Sequence, residues 1–246
     1  MRIRATSLAS PYKTISERSL PLAKQVFDAL HLQILTFELK PYQMLSEASV
    51  SEMLGVSRTP AREALARLAE KGFVDVLPQR GSQVAPLRVA DLETSQFMRE
   101  ALEIGLLRRA MGTERRADLV RSLRKEITLQ RTYTRFDDKA SFYISDETFH
   151  GLIAEYAGLS HVLPEILRMK DHMDRFRHLM VSGVDDLNVV VDQHVDIADA
   201  IEASDDELAE KQMLTHLRRI LHYVNEARQR FPEYFEVSAA DKRAIR

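Results

Sequence analysis

Cysteine and tryptophan are absent from this chain, and glycine is scarce, 8 residues in 246 against an average usage of about 7%. Without cysteine there can be no disulfide, no thiolate zinc site and no cysteine nucleophile. No stretch approaches the ~18 consecutive apolar residues of a membrane span. The first twenty residues lack the uninterrupted apolar core of a signal peptide. The expected setting is cytoplasmic, with no membrane partner. Few glycines beside abundant Ala, Leu, Glu and Arg predict a mainly helical protein.

Charge is small in total and uneven in distribution. The net charge is −2, but residues 1–90 carry 12 Lys/Arg against 8 Asp/Glu, and the remainder carries 23 against 29. A basic first third on an acidic remainder suggests a polyanion as partner of that first part only.

Residues 1–20 mix Ser, Thr, Pro and basic residues without periodicity and read as a flexible N-terminal arm. From Leu22 to Leu39, the apolar positions Val26, Leu30, Ile34 and Phe37 recur at helical spacing, and Pro41 closes that helix. A short helix is expected over Glu47–Leu54, stopped by Gly55. A third runs from Arg58 to Lys71, with Ser57 placed to cap it and Pro60 in its first turn, where a missing N–H costs little. Phe73–Leu77 and Ser82–Val84 read as two strands joined by Pro78-Gln79-Arg80-Gly81. Three helices and a two-stranded hairpin make a winged helix-turn-helix, assigned to residues 21–86.

In such a motif the N-terminal turn of the second helix enters the major groove of double-stranded DNA. Arg58 and Arg62, spaced i, i+4, project from one face at that end. The arginine fork matches both the O6/N7 edge of guanine and a phosphate. Ser57 and Thr59 add hydroxyls for phosphate, and Gln79, Arg80 and Gly81 stand at the wing tip. Two arginines on an arbitrary helix would be ordinary solvated residues; the surrounding pattern argues otherwise. Leu54-Gly-Val-Ser-Arg-Thr-Pro-Ala-Arg-Glu-Ala-Leu-Ala-Arg-Leu68, with Lys71-Gly-Phe-Val74 and Arg80-Gly81, closely resembles the GntR family of bacterial regulators. The resemblance implies DNA contact by Ser57, Arg58, Thr59, Arg62 and the wing tip, and binding as a homodimer to a pseudo-palindromic operator. One departure stands out. Phe37-Glu-Leu-Lys-Pro-Tyr42 occupies the place where the family usually carries glycines, which alters a turn without touching the reading helix.

Everything after Asp91 reads as helix, over roughly 91–111, 114–136, 138–157, 160–181, 187–203 and 205–230, punctuated by Gly112, Gly158 and Gly183. Ser204-Asp-Asp-Glu207 fits a capping box opening the last helix. This all-α antiparallel bundle is assigned to residues 91–231, and 232–246 reads as a loosely held tail. Of the eight histidines, His31, His161, His178 and His222 read as surface or packing residues, and His172 as packing or a cavity wall.

Asp146 and His150 share one helix face at i, i+4, where they can grip a divalent metal or simply hydrogen-bond to each other. His194 and His216 lie on consecutive helices, each eleven residues from position 205 in the intervening turn. If those helices pack antiparallel, both imidazoles sit at one depth, ~16 Å from the turn. Each lies in an apolar stripe, His194 with Ile197 and Ile201, His216 with Met213, Leu217 and Ile220. Together the four can form a site of one carboxylate and three imidazoles.

These positions, in this order, resemble the FadR-like branch of the GntR family, with the helical ligand-binding domain called FCD. All four metal positions carry the family's residue types, and a count of six helices resembles its shorter, VanR-like version. The resemblance also assigns Arg99, within Phe97-Met-Arg-Glu-Ala-Leu-Glu103, to a cavity holding a small carboxylate effector; the alternative is a surface pair with Glu103. Ala157-Gly-Leu159 replaces the segment where the family usually has Asn. Zinc is the first expectation for the metal, with nickel, iron or manganese accepted by the same donors.

A metal-dependent hydrolase is the rival reading, since three histidines and a metal can activate water. Glu147 neighbours the site, but its direction on the helix differs from that of Asp146 by ~100°, and no His-Glu-x-x-His occurs. A di-iron bundle needs Glu-x-x-His twice, and Glu147-x-x-His150 supplies it once. The expectation is a ligand-responsive transcriptional repressor and not an enzyme.

Overall fold

The computed structural model describes residues 20–180 and 187–236; Gly183 and most of the expected arm and tail lie outside them. The fold is mainly α, a winged helix-turn-helix followed by an all-helical domain. The chain forms two compact units, and each draws on more than one stretch of sequence.

The first unit begins with α1, Leu22–Leu35, whose Val26, Phe27, Leu30 and Ile34 form one buried stripe. It ends four residues before the expected Leu39, because Phe37 adopts a left-handed φ of 59°. A strand the sequence did not reveal, β1 (Met44–Leu45), follows. Next comes α2 (Glu47–Leu54), opened by a capping box of Ser46 and Ser49 and closed by Gly55 at φ 65°. The third helix, α3 (Arg58–Glu70), buries Ala61, Ala64, Leu65 and Leu68. Strands β2 (Val74–Leu77) and β3 (Gly81–Val84) make the wing, and β1 adds to β3, giving the antiparallel order β1-β3-β2. Two residues that tie β1 to β3 were too short a run to carry an alternation signal.

This unit also includes the start of α4, the second half of α7 and the described residues from Ile220 to Glu236. The described part of the expected tail is not loose. Phe235 is buried, its chain pairs with Leu87, and Glu236 N–H donates to the Leu87 carbonyl.

The second unit is built from α4 (Val89–Met111), α5 (Arg116–Arg135), α6 (Lys139–Tyr156), the first half of α7 (Leu163–Met180), α8 (Leu187–Glu202) and α9 (Asp206–Leu217), with the boundaries falling inside α4 and α7. Neighbouring pairs are α5 with α6, α8 with α9, and α5 with α8. Leu107, Leu119, Leu123, Phe142, Phe149, Ile197, Ile201 and Met213 fill its core.

Three helix ends differ from expectation. Asp205, not Ser204, caps α9, accepting from Leu208 N, while Ser204 turns the chain at φ 57°. A 3-10 turn at Ser160–Val162 precedes α7. The expected helix 205–230 is split into α9, a 3-10 segment (Arg218–Tyr223) and α10 (Val224–Arg230), so seven α-helices follow the wing among the described residues. At the break, the Leu217 carbonyl accepts from the buried Gln96 side chain at 2.9 Å. Neither proline nor glycine marks that point in the sequence.

Candidate nucleic-acid interface and metal centre

On the winged-helix unit, every residue expected to meet DNA is exposed: Ser57, Arg58, Thr59 and Arg62 on α3, and Gln79, Arg80 and Gly81 at the wing. Ser57 occupies the N-cap position in extended conformation, but its hydroxyl makes no capping bond, contrary to expectation. The first-turn N–H groups of α3 therefore lack a side-chain acceptor, a setting that favours an outside anion. Arg62 Nε lies 3.9 Å from Glu47 Oε1, and both side chains stay largely in water. Arg67, by contrast, is drawn over the Phe27 ring at 4.7 Å. The wing turns tightly, with Gln79 at φ 61° and Gly81 at φ 93°. Gly81 tolerates that angle without the Cβ clash another residue would meet.

In the helical unit, α6 supplies Asp146 and His150, α8 supplies His194 and α9 supplies His216, and all four are buried. Their ligand atoms lie within 4.8 Å of one another. The two histidines expected at one depth are neighbours, with the His194 and His216 rings 4.6 Å apart, centroid to centroid.

Each imidazole has its Nδ1 facing a different oxygen. Nδ1 of His194 donates to Gln130 Oε1 at 2.8 Å, that of His216 to Gln193 Oε1 at 3.2 Å, and that of His150 meets the Glu103 carboxylate. With those protons so placed, the neutral His194 and His216 rings carry a lone pair at Nε2. His150 Nε2 and His216 Nε2 face each other at 3.2 Å, a contact that either a shared proton or a bound cation satisfies. His194 Nε2 is buried without a hydrogen-bond partner and lies 3.6 Å from Asp146 Oδ1. Donors bound ~2 Å from one ion stand ~3.3 Å apart in a tetrahedron. The donor set, its spacing and the orphaned nitrogen therefore fit a divalent metal.

Burial drives His194 down to about 3, with His150 and Arg99 adding to the effect and Asp146 opposing it. Burial likewise holds His216 well below the usual histidine range, reinforced by His194 and His150. Both are neutral at neutral pH, the form a metal requires. Phe149 stacks on His194 at 3.9 Å and fixes its plane.

Arg99 lies in the interior of the helical unit. It does pair with Glu103, Nε to Oε1 at 2.5 Å, yet both are buried rather than on the surface, and Arg99 Nη2 reaches 3.4 Å from His150 Nε2. Burial pushes the Glu103 carboxyl up, but Arg99 and His150 outweigh it and hold it down at about 2. Residues missed by sequence reasoning are Glu103 as more than a partner of Arg99, Gln130, Gln193, and Lys170. The last is buried, its Nζ 3.5 Å from both Asp146 Oδ2 and Glu147 Oε1. The i, i+4 spacing of Arg99 and Glu103 was visible; nothing marked the glutamines or Lys170.

Two family matches cover most of the chain. Residues 22–84 match the bacterial regulatory proteins of the gntR family, and residues 96–219 match the FCD domain. The chain is 37% identical over 227 residues to an HTH-type transcriptional regulator in an unstable DNA locus of Streptomyces ambofaciens, covering 88% of this chain and 91% of that protein. It is 32% identical over 219 residues to the HTH-type transcriptional repressor RspR of Escherichia coli K12, covering 87% and 94%. Among solved structures, E. coli McbR/YncC shares the fold with a TM-score of 0.62 at 20% identity, over 86% of this chain and 99% of that one. The chain belongs to the GntR family of bacterial regulatory proteins, in the group that carries an FCD domain. It is a transcriptional regulator of that type and not an enzyme, which removes the hydrolase reading. No described helix is long and apolar enough to cross a membrane.

Proposed function

We propose that the protein is an effector-responsive transcriptional repressor whose sensing unit contains a divalent metal. The observation that carries this reading is the cluster of four buried ligand atoms, Asp146, His150, His194 and His216, within 4.8 Å in a chain of a DNA-binding family. Zinc is the first candidate, with nickel, iron or manganese suited to the same donors. A metal held by these four residues would bind one oxygen of a small carboxylate by expanding its coordination beyond the four protein donors. Arg99, buried beside the cluster, supplies the directional charge for that anion. The name of the E. coli relative, a repressor, supports the sign of regulation.

On the DNA side, Arg58 and Arg62 read the major groove, Ser57 and Thr59 hold phosphate, and Gln79, Arg80 and Gly81 touch the backbone or minor groove. Their joint exposure and the uncapped start of α3 support these roles. A homodimer presents two such surfaces to a pseudo-palindromic operator. Along the sequence, residues 21–86 carry the DNA surface and residues 91–231 carry the sensing site.

The test has two parts. Thermal shift of the purified protein against small carboxylic acids is run as isolated, after chelation and with His150→Ala. One acid should raise the melting temperature only where the metal centre is intact, and the same acid should weaken operator binding in a gel-shift titration. Tighter operator binding with the acid would overturn the repressor assignment, and a response surviving chelation would separate effector from metal. For the DNA surface, Arg58→Ala should weaken operator binding about tenfold or more and relax sequence preference, consistent with ~1–3 kcal/mol for a bidentate base contact.

A further inference from the structure

Three imidazoles aim Nε2 at the candidate metal position. His194 and His216 donate their Nδ1 protons to Gln130 on α5 and Gln193 on α8, and the Nδ1 of His150 lies against the Glu103 carboxylate on α4, an ion-pair contact rather than an aligned hydrogen bond. These acceptors are not equivalent. Gln130 and Gln193 offer neutral amide oxygens, whereas Glu103 offers a carboxylate with both oxygens engaged, one on His150 Nδ1 and the other on Arg99 Nε. Glu103 and the His150 side chain are equally removed from water. A carboxylate accepting from Nδ1 raises electron density at Nε2 and makes that nitrogen the stronger donor to a metal.

We infer that Glu103 is the positioning residue of the metal centre: it fixes the tautomer and ring plane of His150 and makes His150 the strongest of the three nitrogen ligands. This deepens, and rests on, the reading of Asp146, His150, His194 and His216 as metal ligands. Arg99 is part of the same device. Its Nε bond holds the Glu103 carboxylate in register, and its Nη2 lies 3.4 Å from His150 Nε2, so one carboxylate orients both a metal ligand and the guanidinium beside it. The two glutamines fix tautomers without adding charge, and they rank below Glu103 in their effect on metal affinity.

The experiment uses the full chain, stripped with a chelator and titrated with Zn2+ in competition with a chromophoric chelator. Co2+ absorption serves as a report on the ligand field. Glu103→Gln keeps the shape and removes the charge; it should loosen Zn2+ by about 10–100-fold and shift the Co2+ bands, with the far-UV spectrum of the protein unchanged. Gln193→Ala should loosen it less. Gln130→Glu puts a second carboxylate on an imidazole Nδ1 and should tighten Zn2+, an effect no merely structural role produces and one that can be read even if Glu103→Gln folds poorly. Wild-type protein that binds Zn2+ while Glu103→Gln binds it equally tightly, with the same Co2+ spectrum, overturns the role of Glu103 and leaves the four ligands standing. Gln130→Glu that leaves Zn2+ affinity unchanged or weaker counts against it as well. Wild-type protein that binds neither ion overturns the metal reading itself, and this inference with it.

Discussion

His31 looked like one more surface or packing histidine, and it is a packing one, but its environment gives it a measurable consequence. Its ring stacks on Phe27 at 5.4 Å and meets the edge of Phe73 at 4.7 Å. Burial, helped by Lys71, lowers it from the ordinary 6.5 to about 4, against the opposing pull of Asp28 and Asp174. Between about pH 6.5 and pH 4 the unfolded chain holds a proton at this position that the folded chain does not. Stability therefore falls as the pH drops through that window, by at most ~1.4 kcal/mol per pH unit from this group. Urea unfolding of the wild type and of His31→Gln at pH 7.5, 6 and 5 checks it. The variant should show the shallower pH dependence, and parallel curves would remove His31 from the account. At this scale the sequence exposes residue types and spacings but not surroundings. It puts Asp146 and His150 on one helix face by periodicity and His194 and His216 at one depth by their equal spacing from the turn, while the order they share with FCD domains joins the two pairs. It said nothing of Gln130, Gln193 or Lys170, because those meet the cluster only through the packing of separate helices.

At the scale of elements, the informative failure is the turn after α1. Phe37 and Tyr42 both have left-handed backbone, at φ 59° and 67°, where an L side chain costs ~1–2 kcal/mol. Those are the positions at which a glycine-rich turn would need no compensation. Here the C-terminal segment supplies it. The Phe37 ring stacks on Tyr234 at 5.2 Å, and the Tyr42 hydroxyl donates to the Phe235 carbonyl at 2.8 Å. Since an aromatic pair contributes ~0.5–1.5 kcal/mol, relief and loss nearly cancel in Phe37→Gly alone, and stability should change by less than ~1 kcal/mol. In a Tyr234→Ala background the same substitution should stabilise by about 1 kcal/mol more than in the wild type, a coupling that a double-mutant cycle reads directly. Additive effects would mean that Tyr234 does not support the strained turn. Sequence patterning ended α1 too late for the same reason: Phe37 continues the apolar period, and only contacts nearly two hundred residues away make its break tolerable.

For the molecule as a whole, the segments recognised as family domains and the units that pack together are not the same sets of residues. The gntR match ends at residue 84, and the FCD match runs from 96 to 219. The compact DNA-binding unit nevertheless includes Asp171 onward in α7. There His172 stacks on Phe73 at 4.6 Å with its Nε2 at 3.0 Å from the Lys71 carbonyl, and Arg175 donates to the Ala85 carbonyl at 2.8 Å. Lys71 and Phe73 lie just beyond the end of the reading helix, so α7 seals the joint between α3 and the wing. Local pattern could not show this, since nothing in residues 20–90 records which distant helix covers Phe73, itself almost wholly buried. His172→Ala should open a cavity against Phe73 and destabilise the DNA-binding unit by about 1–3 kcal/mol. Hydrogen exchange resolved by residue is the appropriate measurement, because a global melting curve would not say which unit has loosened. Amides over 65–77 should lose protection while those of α8 and α9 keep theirs, and Zn2+ affinity should stay within about threefold of wild type. Loss of protection in α8 and α9 instead would assign His172 to the sensing unit and return the boundary to the one drawn from the sequence.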